Sequence, residues 1–223
     1  MNSKLFFEAI IKYLSGVLLV GLLLFIPAGT FHFFNAWLFM GLLFIPMFIV
    51  GIIMMIKDPN LLKSRLSAKE KEGDQKKVVA SSGIMFLVGF VLAGFNYRYK
   101  VILLPKVFVI IGSILFIISY ILYAEVLREN SFLSRTIGVQ KDQKVVDTGL
   151  YGIVRHPMYA ITIVLFLSIP FILNSIITFL LFLIYPYIIS IRIKNEEEVL
   201  SKELKGYKSY KNKVKYRLIP YIW

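Results

Sequence analysis

The stretch MYAITIVLFLSIPFILNSIITFLLFLIYPYIISI, residues 158–191, decides the fold because it is apolar along its whole length. A single membrane-spanning helix takes about 20 apolar residues, so this run is too long for one span and too short for two of full length. Pro170 and Asn174 fall near its middle and predict a break there. We therefore predict two short helices joined as a tight hairpin within a membrane.

Further apolar stretches come before this hairpin, and each is long enough to cross the hydrocarbon core of a bilayer. The composition agrees, since 58% of the 223 residues are hydrophobic and only 17% are charged. The sequence predicts an all-α, polytopic integral membrane protein of about six membrane helices, the last two a short hairpin, followed by a basic C-terminal tail. The first four predicted spans are about 13–31, 34–56, 78–96 and 104–126.

Composition also excludes several classes of site. The chain has no cysteine, which excludes disulfides, thiolate metal sites and cysteine nucleophiles. Its two histidines, His32 and His156, are too few and too far apart in sequence for a histidine-rich metal centre, so we expect no metal. The net charge of +13 is typical of Lys and Arg that contact an anionic leaflet, so we expect membrane lipids as partners and no nucleic acid.

The distribution of basic residues predicts the orientation. With the N-terminus inside, 23 of the 26 Lys and Arg residues fall on inner segments. The other three are Arg98, Lys100 and Lys106, in one outer loop. Because cytosolic loops carry the excess of basic residues, both termini are predicted to be cytosolic.

Two polar segments flank the hairpin, and a hairpin returns the chain to the membrane face from which it started. The upstream segment is DTGLYGIVRHPMYA, residues 147–160. Pro157 suits the first position of a helix, where its missing N–H costs nothing. Arg155 and His156 would then lie beside a helix N-terminus, which attracts an anion. The alternative is that Arg155 contacts lipid headgroups and His156 only caps the helix.

The downstream segment begins RIKNEEEVL and carries three consecutive acids, Glu196, Glu197 and Glu198. One interpretation is a solvated start of the tail. The other is an acidic group that faces Arg155 and His156, and a pocket with a cationic and an acidic end suits a zwitterionic ligand. An aromatic set in the tail is more typical of an interfacial belt than of a ligand cage. It comprises Tyr207, Tyr210, Tyr216 and Trp223.

The two segments together resemble a known family. GLYGIVRHPMY is followed, one hairpin later, by EE, then by GYKSY and YRLIP. This combination resembles the isoprenylcysteine carboxyl methyltransferase family, part of a wider group that includes membrane phospholipid methyltransferases. The resemblance spans about residues 128–223. It implies a catalytic, cofactor-binding region there, preceded by N-terminal membrane helices over 1–127.

The resemblance also implies a cytosol-facing S-adenosylmethionine pocket. Leu150 departs from the family pattern, in which many relatives have Pro, and the third acid, Glu198, leaves the register of the EE pair open by one residue. The spacing of RIKNEE favours Glu196 and Glu197. Catalytic roles are implied for Arg155 and Arg217. Cofactor-binding roles are implied for Tyr151, Arg155, His156, Pro157, Tyr159, Glu196 and Glu197.

The function implied is S-adenosylmethionine-dependent methyl transfer to a lipophilic acceptor that enters from the bilayer, such as an isoprenylcysteine-like or other hydrophobic acid. The sequence does not specify the acceptor, O- or N-methylation, or the oligomeric state. One alternative is an NADPH-dependent membrane sterol-type reductase, against which the EE pair argues. Another is a membrane carrier, which would be expected to place ionisable residues in its spans. His32 is the only Asp, Glu, Lys, Arg or His between about 13 and 56.

Overall fold

The computed structural model describes residues 3–66, 73–133 and 137–223, and over these ranges it contains helices and no strand. One short 3₁₀ turn, Gly149–Gly152, precedes the hairpin. The helices are α1 Ser3–Ala28, α2 Phe34–Lys57, α3 Pro59–Leu66, α4 Gly73–Tyr99, α5 Lys106–Glu129, α6 Pro157–Ile172, α7 Ile176–Phe182, α8 Tyr185–Glu203 and α9 Tyr207–Lys213.

Five helical stretches are long and apolar enough to cross a membrane, and the 16-residue α6 is a shorter apolar helix beside them. Many large apolar side chains on these helices are exposed, as expected where the surroundings are lipid. The predicted polytopic all-α membrane fold is confirmed. The five stretches are Ser3–Ala28, Phe34–Lys57, Gln75–Tyr99, Lys106–Glu129 and Ile176–Glu203.

The hairpin turns at Asn174 rather than at Pro170. Pro170 lies inside the last turn of α6, and the helix continues past it to Ile172. Asn174 adopts a left-handed backbone conformation, φ 57°, which Asn tolerates better than most residues. The next residue, Ser175, caps α7 because its hydroxyl accepts the backbone N–H of Thr178 at 3.3 Å. The break between 170 and 174 is thus real, and Asn174 and Ser175 set its position.

The returning arm of the hairpin extends further than its apolar sequence. The predicted span ends at 191, whereas α8 continues to Glu203. The polar residues after 191 stay helical because their side chains form hydrogen bonds with α6. For example, Arg192 Nε donates to the hydroxyl of Tyr159 at 2.9 Å. The Glu196 and Glu197 side chains therefore project from a continuous helix instead of a separate tail.

Close helix contacts fix the hairpin against the rest of the bundle. At Gly112 of α5, an added Cβ would lie 2.7 Å from Phe171 Cβ and 3.0 Å from the Ser168 carbonyl of α6. At Gly94 of α4, it would lie 2.6 Å from the Leu24 carbonyl of α1. Real side chains do not fit in such gaps, so glycine allows these helices to approach closely. The α5–α6 contact places the start of α6 beside the end of α5.

Candidate functional site

The buried carboxylate of Glu197 contacts basic side chains from the start of α6 and from the C-terminal tail. Glu197 is 3% exposed. Its Oε1 accepts a 2.6 Å hydrogen bond from Arg155 Nε and lies 3.3 Å from His156 Nε2. Its Oε2 accepts from Arg217 Nε at 3.0 Å and lies 3.6 Å from Lys211 Nζ. One negative charge thus faces three permanent cations and a histidine, which leaves the cluster with a surplus of positive charge.

Arg155 also holds the chain after α9 against the start of α6. Its Nη1 donates to the carbonyls of Val214 and Lys215, at 2.7 Å each. The backbone N–H groups of 155 and 156 donate to the carbonyls of 216 and 217, at 2.9 Å each. Because buried charged groups need both pairing and hydrogen bonds, this set of contacts makes the Arg155–Glu197 pair a fixed structural unit.

The second carboxylate has different surroundings. Glu196 Oε2 accepts a 2.6 Å hydrogen bond from the hydroxyl of Tyr159, which in turn accepts from Arg192 Nε. The Tyr159 ring stacks on the ring of His156, with centroids 5.7 Å apart. The third acid, Glu198, is exposed on the other side of α8. The two acids that point inward are therefore Glu196 and Glu197, the pair that the spacing of RIKNEE favours.

A cavity with a volume of about 90 Å³ lies beside these residues and is partly open to solvent. Glu196 lines this cavity, whereas Glu197 lies behind its wall. Asn130, from the loop after α5, forms part of another wall. The polar lining also includes Tyr151, Arg155, His156, Tyr159, Tyr207 and Tyr210, and the apolar lining includes Val145, Leu200 and Leu204.

Besides Tyr159 on α6, three tyrosines of the lining are buried phenols. The hydroxyl of Tyr210 donates to the carbonyl of Tyr151 at 2.7 Å. Tyr207 is 4% exposed, and its hydroxyl has no hydrogen-bond partner among the described residues. Burial raises the pKa of the Tyr151, Tyr207 and Tyr210 phenols, so all three remain protonated at neutral pH. A buried hydroxyl without a partner is costly, which makes Tyr207 a donor that a bound ligand could satisfy.

The structure brings the sequence-predicted residues to one place. Pro157 is the first residue of α6, as predicted, and Tyr151 borders the cavity. The headgroup alternative for Arg155 is wrong, because its side chain is buried and paired with Glu197. The anion beside the α6 N-terminus is accordingly supplied by the protein itself. Arg217 contacts Glu197 and does not line the cavity. The ligand-binding roles of these residues stay predictions.

The tail is only partly an aromatic belt. Tyr207 and Tyr210 are buried against Leu204 and Val214, so the belt interpretation is wrong for these two. Their spacing of three on one helix face, next to apolar residues, was the available sequence signal. From the sequence, Lys211 is interpreted as a lipid headgroup contact, whereas its Nζ lies 3.6 Å from Glu197 Oε2 because the tail folds back.

Glu129, at the end of α5, is a positioning residue that sequence reasoning missed. Its carboxylate accepts from the Thr148 hydroxyl at 2.9 Å and from the Leu150 backbone N–H at 3.2 Å. Between these two donors, Gly149 has φ +47°, and a Cβ there would overlap the Glu129 carboxylate. The contact holds the 3₁₀ turn that carries Tyr151 to the cavity.

Gly149→Ala is expected to lower the free energy of unfolding by about 1–3 kcal/mol. The alanine would have to adopt a left-handed backbone conformation, and its Cβ would also overlap the Glu129 carboxylate. Thermal unfolding of the purified protein in detergent measures this. Gly51→Ala on α2 is the control, because a Cβ there meets nothing within 4 Å. Adding Glu129→Ala should recover part of the loss by removing the overlap. An unchanged melting temperature for Gly149→Ala would contradict the role of this contact.

Comparison with known proteins gives a family match that covers part of this site. Residues 107–206 match the phospholipid methyltransferase family model, which confirms the resemblance to the membrane methyltransferase group. The match begins near the start of α5, 21 residues before residue 128, and it includes the start of α6 and both inward acids. Tyr207 and Arg217 lie beyond its end. A search of curated proteins found no significant match. The family match indicates a membrane methyltransferase.

Proposed function

We propose that this protein is an S-adenosylmethionine-dependent methyltransferase acting on a lipophilic acceptor at the cytosolic membrane face. The observation that carries the proposal is that two neighbouring acids have different surroundings. Glu197 is neutralised by protein cations, and Glu196 borders the cavity. This arrangement lies within the stretch that matches a methyltransferase family.

The residues present fit this cofactor. S-adenosylmethionine carries a carboxylate, an ammonium, a sulfonium and ribose hydroxyls. The cavity wall offers Glu196 to a cation or a ribose, the unpartnered hydroxyl of Tyr207 as a donor, and apolar side chains to an adenine ring. The positive surplus around Glu197 favours a carboxylate nearby.

The chain's own residues contribute binding and alignment. Bound S-adenosylmethionine supplies an activated methyl group, which is transferred by in-line displacement at carbon. The protein's part is to align the reactants and to exclude water. Tyr159 and Arg192 hold Glu196 in place on the cavity wall. The stacked rings of His156 and Tyr159 line the cavity.

The acceptor we propose is a hydrophobic acid, with an isoprenylcysteine-like carboxylate as the example that the sequence resemblance implies. A carboxylate acceptor needs no general base, whereas an amine must lose a proton. The imidazole of His156 is already in contact with Glu197. An apolar acceptor can approach sideways from the bilayer. The site is proposed to face the cytosol, because the basic segments cluster at its end of the helices.

Titration calorimetry of the purified protein in detergent tests the proposal. We expect binding of S-adenosylmethionine and of its demethylated product, and no binding of NADPH at the same concentrations. Tyr207→Phe should bind S-adenosylmethionine about 2- to 13-fold more weakly, the value of one neutral hydrogen bond, without loss of thermal stability.

Tyr210→Phe is the contrasting variant, because its hydroxyl already has a partner in the protein. It should lose about 0.5–1.5 kcal/mol of stability. Binding of NADPH without binding of S-adenosylmethionine would favour the reductase alternative and overturn the proposed function.

A further inference from the structure

The three outer cations remain unexplained by the methyltransferase site. All 13 Asp and Glu residues lie in or next to segments at the active-site end of the helices. Arg98, Lys100 and Lys106 belong to the loop region at the opposite end and have no acid near them in sequence. Since basic residues concentrate at the cytosolic ends of membrane helices, these three cations at the other end are exceptions that need a reason.

A second cavity lies at that end of the bundle, with a volume of about 310 Å³. It is formed where the α1–α2 turn, the α4–α5 loop and the α6–α7 turn meet. Arg98 and Lys100 both line it, and Lys106 does not. Of the described residues around it, none is Asp or Glu. The remaining polar lining is uncharged and includes Thr30, Asn35 and Asn174.

Hydrogen bonds between the loops hold this cavity in shape. Asn96 is buried, and its amide donates to the carbonyls of Ile102 and Asn174 at 3.1 and 3.0 Å. The Asn174 side chain accepts the backbone N–H of Leu104 at 2.6 Å. The Tyr97 hydroxyl donates to the carbonyl of His32 at 3.1 Å. Such cross-links pre-organise a site and reduce the entropy lost on binding.

The guanidinium of Arg98 is positioned but not neutralised. It packs where a side chain at residue 29 would be, since a Cβ on Gly29 would lie 3.3 Å from Arg98 Nη1. Its other neighbour is the ring of Tyr99, 5.7 Å from the guanidinium carbon. No carboxylate among the described residues pairs with it. The Arg98 guanidinium is thus held in position with its N–H donors available. This suits a phosphate, which a guanidinium binds with two parallel hydrogen bonds.

We propose that this cavity binds the phosphate of a phospholipid headgroup in the leaflet opposite the candidate active site. The cavity lies at the ends of membrane-spanning helices, the depth at which lipid phosphates are found. Its surroundings include the exposed Phe31 and Phe34, which can contact acyl chains. Arg98 and Lys100 bind the phosphate, and Asn35 and Thr30 offer further hydrogen bonds.

Native mass spectrometry of the purified protein, titrated with phosphatidylglycerol, tests this site. Arg98→Gln and Lys100→Gln should each weaken binding of the lipid by at least fivefold. Lys106→Gln, the matched control, removes the same charge at the first residue of α5, at the same end of the bundle but outside the cavity lining, and should stay within twofold of the parent. If Arg98→Gln disturbs folding because Arg98 packs against Gly29, the Lys100 variant still tests the site.

Two results would overturn the proposal. Equal weakening by all three substitutions would mean diffuse attraction to the bilayer rather than a site. Displacement of the lipid by inorganic phosphate at similar concentrations would assign the cavity to a soluble phosphate compound instead. Binding of S-adenosylmethionine should be unaffected by all three substitutions, so this result is independent of the methyltransferase proposal.

Discussion

Replacing Glu197 with Gln is expected to lower the free energy of unfolding by about 3–5 kcal/mol, the range measured when one partner of a buried ion pair is removed. The carboxylate is 3% exposed and is the only acid that contacts Arg155 and Arg217 among the described residues. A neutral amide would leave these cations, and Lys211, without a counter-charge. The start of α6 and the chain after α9 should separate, so binding of S-adenosylmethionine should also be lost.

Glu198→Gln is the matched control for this change. It alters the adjacent residue on α8 in the same chemical way, but at an exposed position. Its effect should stay within about 0.5 kcal/mol, as for most surface substitutions. Thermal and denaturant unfolding in detergent measure both variants. Equal small effects of the two substitutions would mean that the Glu197 cluster contributes little to stability.

The sequence was sufficient to predict how the two polar segments meet. An apolar run of this length must turn within the membrane, and a turn returns the chain to the face it left. That argument alone places Arg155 and His156 near Glu196 and Glu197, and the structure agrees. Pro157 was predictable as a first helical residue because its ring and missing N–H suit no other helical position so well.

The sequence could not predict which charges neutralise each other. Arg155 was predicted to lie beside an anion at the start of α6, and in the structure Glu197 is the anion that it contacts. Spacing places opposite charges in the same region but does not determine whether they contact each other or a ligand. The spacing of Tyr207 and Tyr210 signals their burial, but not that both line the cavity. That position follows from the folding back of the tail, where hydrogen bonds join residues 155–156 to 216–217, which are distant in sequence.

The two acids illustrate how one helix serves two purposes. Successive residues on a helix point about 100° apart, so Glu196 and Glu197 cannot share the same surroundings. Glu197 points towards the cations of the tail and fixes the site. Glu196 points to the cavity, where Tyr159 orients it. Under the proposed function, structural and binding roles are thus separated although the residues are adjacent in the chain.

Arg155→Lys is expected to weaken binding of S-adenosylmethionine by about 10- to 150-fold, which corresponds to the loss of about 1.5–3 kcal/mol. The change keeps the positive charge, so electrostatic attraction to Glu197 persists. Arg155 bonds to Glu197 through Nε and to two carbonyls through Nη1. A single ammonium cannot reproduce this arrangement, so the tail that carries Tyr207 and Arg217 should loosen from the cavity.

Arg128→Lys is the control that makes this result interpretable. Arg128 also binds a carboxylate, that of Glu125, but on the surface of α5 with the arginine side chain 75% exposed. Exposed pairs of this kind contribute little, so the same chemical change there should leave the affinity within twofold. Calorimetry on folded, monodisperse samples gives both dissociation constants. If Arg155→Lys also binds within twofold of the parent, the charge of Arg155 suffices, and the fixed geometry of the tail has no part in forming the pocket.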